Sequence, residues 1–109
     1  MDYRDIKNRA IEISNLYDKL NKQKGQKVWD THAVMSGFVG DVGDLSKLIM
    51  AKNNLRSKED IDEKLAHELS DCLWSIIVLA DKLDIPLDIA FMSTMNELQK
   101  KITEKLATS

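Results

Sequence analysis

The stretch Val34-Met35-Ser36-Gly37-Phe38-Val39-Gly40-Asp41-Val42-Gly43-Asp44-Leu45-Ser46-Lys47-Leu48-Ile49 decides how the chain folds. Its apolar residues recur at three- and four-residue steps, the period of an amphipathic helix and not of a strand. Wound at about 100° per residue, Val34, Phe38, Leu45 and Ile49 form one stripe, with Val42 at its far edge. Asp41 falls inside that arc, between Val34 and Leu48, and Asp44 lies one turn on at the same edge. A carboxylate in a direction that the core should own needs a physical reason.

Working outward, the same period covers most of the chain. Ile6, Ala10, Ile13, Leu16, Tyr17 and Leu20 predict a first helix from about Tyr3 to Lys22, followed by a polar loop around Gly25. The second helix starts at Asp30 or Thr31, both good N-caps, and runs to Lys52, where Asn53-Asn54 stops it. Ser57 caps the third, with Glu59 and Asp60 suiting the positive end of its dipole, and the helix runs to Leu83. Its stripe is Ile61, Leu65, Cys72, Ile76, Leu79 and Leu83, and Glu68 points almost the same way as Ile61 and Leu79, with Asp71 one turn on. Asp84-Ile85-Pro86 breaks the pattern, and Pro86 serves as the first residue of a fourth helix carrying Leu87, Ala90, Phe91, Met95, Leu98 and Ile102. The tail Ala107-Thr108-Ser109 is expected to fray. The expected fold is a single all-α domain over residues 1–109, a four-helix bundle or paired helical hairpins.

Composition narrows the function classes. The chain has 109 residues, 16 basic and 18 acidic, for a net charge of −2, which gives no electrostatic footprint for a nucleic acid polymer. One cysteine, Cys72, excludes an internal disulfide and suits a reducing compartment. No apolar run reaches the roughly 18 residues that span a bilayer, and the charged Met1-Asp2-Tyr3-Arg4-Asp5 start lacks the apolar segment of a secretory signal. The expected address is the cytoplasm. A core this small, with Trp74, Ile77 and Phe91 to spare, argues for a homodimer or homotetramer.

Each of the two central helices thus presents two acids at i and i+3, Asp41 with Asp44 and Glu68 with Asp71. An unpaired buried carboxylate costs several kcal/mol or shifts its pKa until it is neutral. Four of them converging are reconciled economically by a hard dication, Mg²⁺ or Mn²⁺. Mg²⁺ commonly shares its sphere with substrate phosphates, so a nucleotide is the natural second ligand. Single acids on a helix are mostly solvated, and the alternative is that these lie at a rim, wet or paired with lysine. Gly37, Gly40 and Gly43 flank the first acid pair, although each glycine inside a helix costs about 1 kcal/mol relative to alanine. They serve close helix packing or room for a ligand.

Gly40-Asp41-Val42-Gly43-Asp44-Leu45 and Glu68-Leu69-Ser70-Asp71-Cys72-Leu73-Trp74, continuing into Leu79-Ala80-Asp81-Lys82-Leu83-Asp84-Ile85, resemble the MazG-like all-α nucleoside triphosphate pyrophosphohydrolases over about residues 30–101. That family carries a Glu-x-x-Glu and a Glu-x-x-Asp pair on adjacent helices. The resemblance implies that Asp41, Asp44, Glu68 and Asp71 hold Mg²⁺, with Glu68, Asp71 and Asp44 as the catalytic acids, one of them serving as base for the attacking water. It implies a hydrolase acting on a phosphoric anhydride, which splits a nucleoside triphosphate into monophosphate and pyrophosphate and so removes unwanted nucleotides. Asn96 matches an asparagine of the family's last helix, whereas the lysine expected about four residues earlier is replaced by Met92-Ser93; Lys100 or Lys101 is the candidate substitute. Asp41 and Asp44 stand where glutamate is usual.

Trp29 and His32 precede or open the second helix, where an aromatic ring can stack on a base; the structural alternative is that Trp29 packs over the helix start. Trp74, off the main stripe, suits a subunit interface or a cleft wall, His67 reads as a surface residue, and Cys72 as a small core hydrophobe. A catalytically silent helical module that binds nucleotide or protein is the competing function. A carboxylate-bridged di-iron bundle is disfavoured, because neither His32 nor His67 has a glutamate three residues before it.

Overall fold

The helices begin where side chains can satisfy the free amides of a first turn. Asp2 Oδ1 accepts the Asp5 amide and Asp5 Oδ2 accepts the Asp2 amide, both at 3.1 Å, a reciprocal box that starts α1 (Tyr3–Gln23). Asp30 Oδ1 accepts the Ala33 amide at 2.8 Å and opens α2 (Thr31–Asn53), so Asp30 and not Thr31 is the cap. The computed structural model describes residues 1–53 and 61–108, which include α3 (Ile61–Lys82) and α4 (Leu87–Thr108). The expected Ser57 cap, with Glu59 and Asp60, lies outside the described residues. Among those described there is no strand, and they form four helices in an all-α arrangement.

Two helix ends use the left-handed region. Gly25, at φ 69°, lets the Gln26 amide reach back to Asn21 O at 2.8 Å, which closes α1. Asp84, at φ 56°, does the same for α3: the Ile85 amide donates to Ala80 O at 2.9 Å and the Asp84 amide to Asp81 O at 3.2 Å. Pro86 sits just ahead of α4 instead of within it, its carbonyl accepting the Ala90 amide at 2.9 Å. Of the tail expected to fray, Ala107 and Thr108 are helical, and Ser109 lies outside the described residues. The helix continues through Thr108, whose hydroxyl donates to Glu104 O and Lys105 O at 3.3 and 3.2 Å.

Packing is dominated by α2 against α3, with α1 laid across α3. Ile77 and Val78 are the most completely buried side chains, because the second half of α3 faces α2 on one side and α1 on the other. The Trp74 indole N–H donates to Ala10 O of α1 at 3.0 Å, and Lys7 pairs with Asp81 at 3.9 Å. Ile76 and Leu83, placed in the stripe by sequence, are exposed instead; Ser75, Ile77, Val78 and Ala80 take the buried places. The reason is the second contact with α1, which rotates the buried arc beyond a single-partner stripe.

The expected four-helix bundle does not close within one chain. No residue of α4 is buried, and its stripe of Phe91, Met95, Leu98 and Ile102 is 38–56% exposed. The radius of gyration is 17.8 Å, where a compact domain of this length has about 13 Å. No helix among the described residues is long and apolar enough to cross a membrane.

Asp84 pays a steric cost at its left-handed φ that glycine does not. Asp84→Gly is expected to raise unfolding stability by about 0.5–1 kcal/mol and Asp84→Val to lower it. Urea denaturation read by circular dichroism checks this; a glycine variant less stable than the parent contradicts the cap.

Candidate metal centre and adjoining cleft

Along α2, Val34 is buried and Phe38, Asp41, Leu45 and Leu48 are half-buried, so one seam-facing place in five belongs to a carboxylate. On α3 the matching row is Ile61, Leu65, Glu68, Cys72 and Ser75, with Glu68 half-buried at its middle. The helical period puts both acids there: moving either out of the seam would also turn its leucine neighbours into solvent. Asp44 is exposed and Asp71 half-buried, each at the margin of the same seam.

The four acids do come together. Asp41, Asp44 and Glu68 each offer an oxygen within 4.8 Å of the others, and so do Glu68 and Asp71 with a ring nitrogen of His67. Glu68 belongs to both groups. Its Oε2 is shut off from solvent and accepts no hydrogen bond from the chain. Opposite oxygens around Mg²⁺ lie about 4.2 Å apart, so the spacing within each group is close to what one ion would need. An enclosed carboxylate oxygen without a donor, beside other acids, is the arrangement that a hard cation completes.

Electrostatics agree with crowding. Burial pushes the Asp41 carboxyl above the usual range, and Asp71 and Asp44 push it further, with His67 opposing. Burial likewise raises Glu68, followed by the charges of Asp41, Asp71 and Asp44, again opposed by His67. The Cys72 thiol is pushed up by burial and then by Asp41, Glu68 and Asp71, the condition of an inert packed thiol.

The acid row separates two hollows. Asp41 and Asp71 line a cleft of about 650 Å³ together with Gly37, Tyr17, Trp29 and Trp74. Asp44 and Glu68 line another of about 560 Å³, with Lys47, Lys64 and His67. In the first, Tyr17 lies tilted against Trp29, ring centroids 4.7 Å apart, and edge-on to Trp74 at 5.8 Å. A side chain built at Gly37, Gly40 or Gly43 would meet nothing within 4 Å. Close packing inside this chain therefore does not account for the glycines, and open space beside the acids remains.

The other candidates divide. Trp29 borders the acid-bearing cleft. His32 is exposed and does not line it. Asn96 and Lys100 line a shallow groove built from α4 residues alone and do not join the acids within one chain. Two residues that sequence leaves out of the site stand beside it. His67 is exposed as expected, yet its Nε2 sits 3.1 Å from Asp71 Oδ2; the signal was the i,i+4 spacing between them. Tyr17 reads as core in the α1 stripe; the crossing of α1 over α3 brings its ring to Trp74, and the connection between α1 and α2 brings Trp29 to it.

The chain is similar to the Gene 37 protein of Mycobacterium phage L5, 31% identical over 72 residues that span 62% of this chain and 62% of that protein. That name states no activity. No known family profile matches the sequence, and no solved structure matches the chain.

The raised acids make a signed prediction for the metal-free chain. Folding favours their protonated forms, so their contribution is full below the ordinary carboxylate range and is lost as pH rises through the folded-state values. At neutral pH Asp41→Asn is expected to melt higher than the parent in chelator, the gain fading by about pH 3.5. Scanning calorimetry at both pH values reads this. A variant that melts lower than the parent at pH 7 contradicts the repulsion.

Proposed function

We propose that this chain is a Mg²⁺-dependent nucleoside triphosphate pyrophosphohydrolase of the MazG-like all-α type, yielding the nucleoside monophosphate and pyrophosphate. The observation that carries the reading is the meeting of half-buried Asp41 and Glu68 from two helices, Glu68 Oε2 enclosed and without a donor, beside an aromatic-lined cleft. Asp41, Asp44, Glu68 and Asp71 would hold the cation. Bound there, Mg²⁺ or Mn²⁺ would offset polyphosphate charge and lower the pKa of water.

The residues of the chain supply the rest. Asp71 is the acid with an outlet for a proton: exposed His67 stands 3.1 Å away and faces solvent. Trp29, Tyr17 and Trp74 offer flat apolar walls for a base, and Gly37 leaves the approach to Asp41 open. A cytoplasmic address suits a nucleotide hydrolase and a reduced, buried Cys72.

A homodimer or homotetramer belongs to the same reading. It is supported by the exposed α4 stripe, by Met35, Val39, Val42 and Met50 at 44–62% exposure on the outer side of α2, and by the extended 60 × 40 × 28 Å shape. Sedimentation of the wild type is expected to give a multiple of 12.4 kDa, and Phe91→Asp with Ile102→Asp to give the monomer. A monomeric wild type contradicts this part.

One observation favours a second reading, a silent nucleotide-binding module: Asn96 and Lys100 stand apart from the acids. Phosphorus NMR of a panel of canonical and modified triphosphates with Mg²⁺ separates the two. The proposal predicts monophosphate and pyrophosphate, with turnover down at least a hundredfold in Glu68→Gln while the fold is kept. Binding without turnover favours the module, and diphosphate plus orthophosphate as products contradicts the proposed bond.

A further inference from the structure

We infer that Arg9, on α1, is the cation that holds the polyphosphate chain of the substrate, an inference that rests on the triphosphate reading above. Among the described residues that line the cleft of Asp41 and Asp71, Arg9 is the one basic side chain. A polyphosphate entering that cleft brings several negative charges past two carboxylates, and needs a counter-charge from the protein as well as from a cation on the acids. Lys100 and Asn96 do not supply it within the chain, because they line a groove of α4 alone. The lysines near the acids, Lys47 and Lys64, line the hollow on the other side of the acid row.

Arg9 is also free to take the role. Its guanidinium is 66% exposed and pairs with Glu12 at 2.9 Å, an i,i+3 surface pair that solvent screening makes cheap to exchange. A planar fork of donors on a long stem suits bidentate contact with phosphate oxygens. The α1 helix is thereby more than a lid on α3: through Tyr17 and Arg9 it contributes both an aromatic face and a charge to one cleft.

The test is calorimetric titration, in Mg²⁺, of the α,β-methylene analogues of the four deoxynucleoside triphosphates and of the matching monophosphates. Arg9→Ala is expected to weaken binding of the best triphosphate analogue ten- to a hundredfold and to change monophosphate binding less than threefold. Arg9→Lys should fall between the two, Glu12→Gln should bind at least as tightly as the parent, and Lys100→Ala should bind like the parent. Circular dichroism and melting of each variant report its folding, and Arg9→Lys carries the test should Arg9→Ala not fold. Unchanged triphosphate affinity in folded Arg9→Ala, with affinity lost in Glu68→Gln, overturns the role of Arg9 and leaves the triphosphate reading standing. Equal losses for monophosphate and triphosphate overturn it in favour of a base contact. A wild type that binds none of the analogues overturns both.

Discussion

Two carboxylates in the seam between α2 and α3 constrain everything else in this molecule. Helices pair by burying an apolar stripe, and here each stripe gives a central place to an acid, Asp41 on one helix and Glu68 on the other. Burial first, and then the nearby acids (Asp71 and Asp44 for Asp41; Asp41, Asp71 and Asp44 for Glu68), raise the proton affinity of both. The seam is nonetheless the largest packing surface in the chain. Leucines at 45, 48 and 65 and Val34 hold it together on either side of the acids. The pairing thus brings Asp41, Asp44 and Glu68 together, and Asp71 beside Glu68 and His67. On the proposed reading, a cation held by both helices would turn that cost into a site.

The remaining helices are arranged around this pair in different ways. The first is docked, through the Trp74 indole on Ala10 O and the ion pair of Lys7 with Asp81, and it roofs a cleft whose floor includes Asp41 and Asp71. The fourth is not docked, and keeps its apolar side in solvent. An amphipathic helix with no fully buried residue has its stripe available for burial elsewhere. The outer side of α2, with Val39 and Met50, is a second unburied apolar surface. The glycines of α2 lie toward the acid-bearing edge, clear of neighbouring atoms. One helix therefore serves three directions, a seam, an open approach and an apolar back.

The legible part of this architecture is the part that periodicity governs. Spacing alone places α1, α2 and α4 to within a residue or two, and puts Asp41 and Glu68 in their stripes, because both follow from 100° steps along single helices. Contacts that depend on how helices cross are not in that signal. Ile76 and Leu83 turn outward because α1 adds a second partner to α3. Tyr17 meets Trp74 through the same crossing. His67 reads as surface from its direction, and it is exposed; its contact with Asp71 follows from the i,i+4 spacing across one turn. Asn96 is matched by motif, but its distance from the acids reflects the placement of α4, which no pattern within the helix encodes.

The account stands on a shared ion between α2 and α3, and paramagnetic Mn²⁺ reads that directly. In a two-dimensional amide spectrum of the labelled protein, substoichiometric Mn²⁺ is predicted to broaden first the signals of Gly40 to Leu45 and of His67 to Cys72, together and at the same added concentration. Mg²⁺ in excess should restore them. Broadening that begins instead at the exposed acids Asp62 and Glu63, or that touches one of the two segments without the other, would contradict a centre bridged by both helices.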